Sequence, residues 1–216
     1  MKKWLFFISI SVLFIINPCK SQNNSDFEGV IIYDMEMEDV GMDPTSASTF
    51  DNLQTKTYIK GHESRSEIKS DFGNNVTITD SKKKISIILL DIMGMKFSIS
   101  SNFEQAQNNE IVIKYTDEKK LIAGYTCKKA ELIDPKEGSI SVFYTEEIPI
   151  SIYDTRFIGL KGFPLEYEVN QFGLKMIVTA KEVNKEAVNS TLFDIPEGYR
   201  PTTQQELIKM VEGKRE

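Results

Sequence analysis

Residues 159–169 read Gly-Leu-Lys-Gly-Phe-Pro-Leu-Glu-Tyr-Glu-Val. Gly159, Gly162 and Pro164 interrupt the chain just before a clean alternation, with Leu165, Tyr167 and Val169 on one side and Glu166, Glu168 and Asn170 on the other. Period-two alternation marks a strand that buries one face and wets the other. Proline cannot donate to a sheet ladder, so it is tolerated where a strand begins or at an edge. The stretch therefore predicts a strand that opens at a corner, its Leu165, Tyr167 and Val169 side lining the inside of a curl.

The rest of the chain has the same texture. Strands are expected at residues 27–37, 55–60, 64–70, 76–79, 85–90, 95–99, 110–115, 125–133, 139–144, 164–170 and 174–183. Segment 85–90 is apolar with little alternation, so both of its faces should be covered. Asp134-Pro135-Lys136-Glu137-Gly138 is a tight turn in which Pro135 fixes φ and Gly138 permits a positive one. Asn170-Gln171-Phe172-Gly173 reads as a further hairpin turn with Gly173 left-handed.

Helices are few. One is expected from a Thr45 cap to about Leu53, and another over residues 101–109. A terminal helix follows two overlapping capping boxes, Thr202 with Gln205 and Thr203 with Glu206. Its stripe of Leu207, Ile208, Met210 and Val211 should dock on the sheet, a membrane-surface role being the alternative. About ten or eleven hairpin-linked strands imply a mainly β fold, one antiparallel sheet that must curl into a half-open barrel to bury its apolar face.

The N-terminus reads as a targeting signal. Lys2 and Lys3 precede an apolar run from Trp4 to Ile16, too short for a membrane span and suited to a signal core. Cys19-Lys20-Ser21 suits cleavage after Ser21, leaving residues 22–216 as a single domain of an exported protein. Lipoprotein processing at Cys19 and an uncleaved anchor stand beside it. Ile16-Asn17-Pro18 fits the former poorly, because the position before the cysteine is normally small. Loss of Lys2, Lys3 and Lys20 with the signal takes the net charge from −6 to −9. An acidic chain is a poor nucleic-acid binder. No later stretch approaches the length of a membrane span.

Four segments, in order, carry a resemblance: Phe27-Glu28-Gly29-Val30-Ile31-Ile32-Tyr33, Leu121-Ile122-Ala123-Gly124-Tyr125-Thr126-Cys127-Lys128-Lys129, Gly162-Phe163-Pro164-Leu165-Glu166, and Leu192-Phe193-Asp194-Ile195-Pro196-Glu197-Gly198-Tyr199. Together they resemble domain-of-unknown-function family 4412 of bacterial exported proteins. That family has no assigned reaction, so the resemblance implies no catalytic residues. Its architecture is similar to the LolA/LolB lipoprotein-carrier class, a curved antiparallel sheet with helices plugging its mouth.

Reaction machinery is not legible. No nucleophile elbow, P-loop or zinc-protease helix occurs. His62 is the sole histidine, in a turn, so no multi-histidine metal site can form. Cys127 reads as a small core residue, and Glu166 with Glu168 as a solvated face. No enzyme activity, metal or cofactor is expected.

A binding role has more support. Methionines and aromatics fall on the apolar alternations, and methionine adapts to irregular apolar ligands. Tyr33, Met35, Met37, Phe97, Tyr115, Phe143, Leu165 and Tyr167 are the expected lining of an apolar concave face. The expected partner is a lipid or a lipoprotein acyl chain, in the periplasm or at the outer-membrane periphery, with secretion as the alternative. The alternative role is a structural or protein-interaction module of the envelope, a self-filled barrel whose concave face is occupied by its own helices.

Overall fold

The computed structural model describes residues 27–37, 53–70, 73–92, 94–102, 111–135, 138–148, 155–171 and 174–212. The signal segment, the helix expected from Thr45, nearly all of the one expected over 101–109, and Gly173 lie outside them. Twelve strands form one sheet: β1 (Glu28–Met37), β2 (Gln54–Lys60), β3 (Glu63–Ser70), β4 (Gly73–Asp80), β5 (Ile85–Ile92), β6 (Met95–Asn102), β7 (Val112–Ile122), β8 (Tyr125–Asp134), β9 (Gly138–Thr145), β10 (Phe163–Gln171), β11 (Leu174–Asn184) and β12 (Arg200–Pro201). Their order is β12-β6-β5-β4-β3-β2-β1-β11-β10-β9-β8-β7. Two antiparallel meanders, β1 to β6 and β7 to β11, are joined where β1 pairs with β11. The sheet curls without closing, and β7 is brought back beside β11. This is the mainly β, half-open architecture expected from the alternation.

The opening corner is built by its glycines and proline. Gly159 has φ +88°, a left-handed conformation open to glycine at little cost. A Cβ on Gly162 would stand 2.3 Å from the Thr145 carbonyl oxygen, so only glycine lets this segment lie against the end of β9. Pro164 is the second residue of β10, at a register shift against β9 that leaves Leu165 as the extra residue of a bulge. The Tyr33 hydroxyl donates to the Pro164 carbonyl at 2.9 Å, tying the corner to the sheet's central strand.

The concave core belongs mainly to the C-terminal meander. Tyr33, Leu165 and Phe163 are fully buried there, with Ile31, Val142, Phe157, Tyr167 and Val178. A second cluster lies on the convex face of the other meander. Val30, Val76, Ile78 and Leu89 pack beneath Val188 and Phe193. The covering segment is the Leu192–Tyr199 stretch singled out from the sequence. Its approach is pinned by the Val188 N–H donating to Glu28 (2.8 Å), by Lys60 Nζ donating to the Val188 carbonyl (2.9 Å) and by Arg65 donating to the Leu192 carbonyl (3.0 Å). Of the eight β5 residues Leu89 alone is buried and the rest are half-buried, so the coverage expected on both faces is only partial. Leu89 packs into the convex cluster, while Ile88 faces the concavity.

Three expectations are corrected. β7 continues past Tyr115 to Ile122, through a bulge at residues 116–118. The charged residues beyond the expected end at Tyr115 lie on an edge strand, which can carry them, and charge protects such an edge from unwanted pairing. Leu53 is not helical, and its carbonyl accepts the Met35 N–H at 3.1 Å. The terminal helix α1 (Gln204–Glu212) does not dock on the sheet. Ile208 and Met210 are 48% and 37% exposed, and Leu207 is half-buried. β12 adds parallel to β6 at the sheet's edge, so the chain leaves sideways instead of crossing a face. Of the two capping boxes, Thr203 with Glu206 forms, each backbone N–H donating to the other side chain at 2.9 and 3.2 Å.

Candidate functional site

Register assigns each side chain to a face. On β1, Tyr33 and Met35 point into the curl, opposite Ala180 and Val178 of β11. Tyr33 also lies opposite Thr55 of β2. From there the inward positions run Thr55 and Thr57 on β2, Ser64 and Ser66 on β3, Thr77 and Thr79 on β4, and Ser86 and Ile88 on β5. In the other direction they are Met176 and Val178 on β11 and Tyr167 and Val169 on β10. The inner surface therefore has two chemically different flanks. The β2–β5 flank carries hydroxyls at alternate positions, and the β10–β11 flank is apolar.

Between them lies a cavity of about 340 Å³. Met35, Tyr167, Val169, Met176 and Val178 line one side, and Thr55, Ser66, Thr77, Ser86 and Ser101, interrupted by Ile68 and Ile88, the other. Thr57 and Thr79 are buried, and Thr57 shares a 3.2 Å hydrogen bond with Ser66. The Thr55 hydroxyl donates to the Met35 sulfur at 3.5 Å, joining the two flanks.

A second cavity of about 330 Å³ opens between β8, β9 and β10, among Ile111, Leu132, Asp134 and Ile140. Arg156 lines both cavities. It sits on a short 3-10 turn (Thr155–Phe157), its guanidinium carbon 5.6 Å from the Phe157 ring centroid and 5.7 Å from that of Tyr167. Tyr167 in turn meets Phe157 edge-on at 5.0 Å and Tyr33 at 6.1 Å.

The expected lining residues separate on this geometry. Met35 and Tyr167 line the larger cavity. Tyr33 and Leu165 are fully buried in the core behind it. Met37 is half-buried at the end of β1, opposite Met176. Phe97 is buried beneath the Arg200 guanidinium, 5.2 Å from its ring. Tyr115 is 39% exposed, edge-on to Tyr144, with its hydroxyl donating to the Gly159 carbonyl at 3.3 Å. Phe143 is a correction. It neighbours the inward Val142, pairs with Glu166 and Lys129, and so faces away from the cavity under the ammonium groups of Lys120 (5.5 Å) and Lys129 (5.8 Å). Its strand was located, but the parity was taken from the wrong residue.

The titratable groups serve the fold. Glu166 accepts from Lys120 at 2.6 Å and from the Thr179 hydroxyl at 3.2 Å. Glu168 accepts from the Ser141 N–H and pairs with Lys175, both at 3.3 Å. Burial, reinforced by Glu147 and Glu166, pushes the Cys127 thiol up to about 11, so it stays protonated at neutral pH. His62, Glu63 and Asp80 converge at the β2–β3 turn. There Asp80 accepts the Lys82 and Lys83 N–H groups at 3.0 and 2.9 Å and pairs with the Lys83 ammonium at 2.8 Å, which is turn chemistry.

No protein-family model and no curated protein matches the sequence. Solved structures do resemble the fold. The structure of PNGF-II superposes with a TM-score of 0.58 at 19% identity, covering 88% of this chain and 33% of that one. The likeness is one of fold. The chain thus spans about a third of the PNGF-II chain. An uncharacterized conserved protein from Thermus thermophilus matches with a TM-score of 0.48 at 9% identity, over 82% of this chain and 91% of that one. MucB matches with a TM-score of 0.40 at 8% identity, over 80% and 58%. Among the described residues no helix is long and apolar enough to cross a membrane.

Proposed function

We propose that this chain is a non-enzymatic, exported envelope protein that holds an apolar or amphiphilic ligand, a lipid or lipoprotein acyl chain, in the concave face of its sheet. The observation that carries the reading is the 340 Å³ cavity, within the size range of small-ligand sites and lined on one flank by Met35, Val169, Met176 and Val178. Export rests on Lys2, Lys3, the apolar run to Ile16 and the Cys19-Lys20-Ser21 processing signal. Membership of domain-of-unknown-function family 4412 is part of the same proposal, resting on the four quoted segments. The absence of catalysis is supported by the engagement of Glu166 and Glu168 in ion pairs and by the protonated thiol of Cys127.

Native mass spectrometry of protein purified without detergent from its own envelope tests this. The expected result is a mature chain beginning at Gln22 with a near-stoichiometric lipid adduct. A clean apo mass, together with no uptake of an apolar fluorescent dye, overturns the ligand. A diacylated Cys19 would replace cleavage after Ser21 by lipoprotein anchoring.

A second reading has one observation of its own. The C-terminal half of the concavity is filled by Tyr33, Phe157, Leu165 and Tyr167, as a self-filled interaction module would be. A lipid-free chain that co-purifies with an envelope protein would favour it.

A further inference from the structure

Five consecutive strands each bring one hydroxyl to the larger cavity: Thr55 from β2, Ser66 from β3, Thr77 from β4, Ser86 from β5 and Ser101 from β6. Three of these are engaged. Thr55 donates to the Met35 sulfur, Ser66 shares a bond with Thr57, and Ser101 donates to the Ser86 carbonyl at 3.5 Å. Among the described residues the hydroxyls of Thr77 and Ser86 make no hydrogen bond, and both side chains are half-buried at the cavity wall. Thr79 lies opposite Ser86 and Ile88 opposite Thr77, so Thr77 and Ser86 are diagonal neighbours on one face. That places them roughly 7–8 Å apart, a span that two oxygens of one small polyol bridge with a hydrogen bond at each end.

We propose that the cavity selects single-chain amphiphiles with an uncharged, hydroxyl-bearing ester head, of the monoacylglycerol class, the head on Thr77 and Ser86 and the acyl chain against Met35, Met176 and Val178. This deepens the ligand-binding reading and rests on it. A volume of about 340 Å³ lies at the small end of ligand pockets, which suits one acyl chain. No carboxylate lines the cavity among the described residues, so a cationic head has no counter-charge there. The Arg156 guanidinium lies on the Phe157 and Tyr167 rings and has a further interaction of its own, so an anionic head would have to compete for it. A charged head of either sign would give up its water without a free partner, which burial penalises. A neutral polyol head exchanges its water for hydroxyls that both donate and accept, so its orientation is not dictated by one polarity.

The test compares ten-carbon probes below their micellar concentrations: 1-decanoylglycerol, methyl decanoate, decanoate and decyltrimethylammonium, with glycerol alone as the fifth arm. Methyl decanoate keeps the chain and the ester and lacks the hydroxyls. Titration calorimetry on the full mature chain should rank decanoylglycerol about tenfold or more above methyl decanoate and above both ions, as expected for one or two added neutral hydrogen bonds. Glycerol alone should not bind measurably. Thr77→Val keeps the β-branched shape and removes only the hydroxyl, and Ser86→Ala does the same for its neighbour. Each should cut the preference for decanoylglycerol over methyl decanoate, and the two together should bring these probes within about threefold of each other.

Tighter binding of decanoate or of the ammonium than of decanoylglycerol, glycerol alone binding as well as its ester, or an unaltered preference in the double variant would each overturn the assignment. If the double variant does not fold, the wild-type series and the two single variants decide. Binding of methyl decanoate as tightly as decanoylglycerol sinks the head-group site alone. Binding of no probe at all sinks the cavity reading beneath it.

Discussion

Replacing Tyr167 by alanine probes the corner, the core and the cavity together. Tyr167 is 7% exposed, and its ring meets those of Tyr33 and Phe157 edge-on, at 66° and 69°. Each such aromatic pair contributes about 0.5–1.5 kcal/mol beyond burial. The void cannot collapse easily, because β10 is held by ladders to both β9 and β11. Truncating a buried aromatic to alanine in such a setting costs about 3–5 kcal/mol. For a chain of this size, roughly 2–4 °C per kcal/mol places the loss of Tm at about 6–20 °C. The control is the next residue. Glu168→Gln keeps size and an acceptor for the Ser141 N–H, and loses only a partly exposed pair with Lys175, so it should cost no more than about 1 kcal/mol. Urea melts of the two variants, read at unchanged m, supply the comparison. Should Tyr167→Ala cost no more than Glu168→Gln, the alternation does not sort residues into faces. A one-residue slip of register would reverse the two outcomes.

Gly162→Ala should destabilise by about 1–3 kcal/mol or more through backbone displacement against the Thr145 carbonyl, whereas Gly94→Ala, with open space around its Cβ position, should show only the strain of its left-handed φ; thermal melts that rank them equally would refute the close approach. The Val188 N–H, then Lys60, hold the Glu28 carboxyl below its ordinary value of 4.5. A carboxylate depressed in the folded state stabilises above that ordinary value, and the contribution is lost as pH falls through the lower folded value. Glu28→Gln should therefore flatten the acid limb of the stability curve below about pH 4.5, and parallel limbs for variant and wild type would contradict this. Cys127 should resist a thiol reagent at about pH 8 until the chain unfolds, since burial keeps it protonated; native labelling at the rate of a free cysteine would show otherwise.

The sheet was legible because its strands alternate and its turns carry the residues that turns require. The corner at Gly159–Pro164 was legible for the same reason, although the closeness of Gly162 to Thr145 depends on where β9 lies. Strand β12 was not, because two residues cannot display a period. The undocked α1 was misread because an amphipathic stripe says that a helix can bury a face, not that the chain delivers it to one. Arg156 carried no local signal, since its value comes from where the β9–β10 connection crosses the curl. The hydroxyl flank could have been found. Thr55/Thr57, Ser64/Ser66 and Thr77/Thr79 repeat a hydroxyl pair at period two on three successive strands, a pattern visible once parity is tracked from strand to strand.

That flank has a physical rationale of its own, whatever the cavity holds. A half-open sheet that lined its whole inner face with leucine and isoleucine would expose a contiguous apolar surface whenever it was empty, and such patches invite association. Threonine keeps the β-branched shape that suits a strand and a methyl group that packs, while its hydroxyl can be satisfied by a neighbour or by water. Thr57 and Ser66 satisfy each other, so the floor of the concavity is closed without demanding a ligand. The apolar lining can then stay broken up, with Met35, Val169, Met176, Val178 and the Tyr167 ring on one side and only Ile68 and Ile88 among the hydroxyls of the other. Hydroxyls alone would serve a self-filled barrel as well as a binding one. Arg156, stacked on the Phe157 and Tyr167 rings, lines both cavities and so ties the filled half of the concavity to the open one.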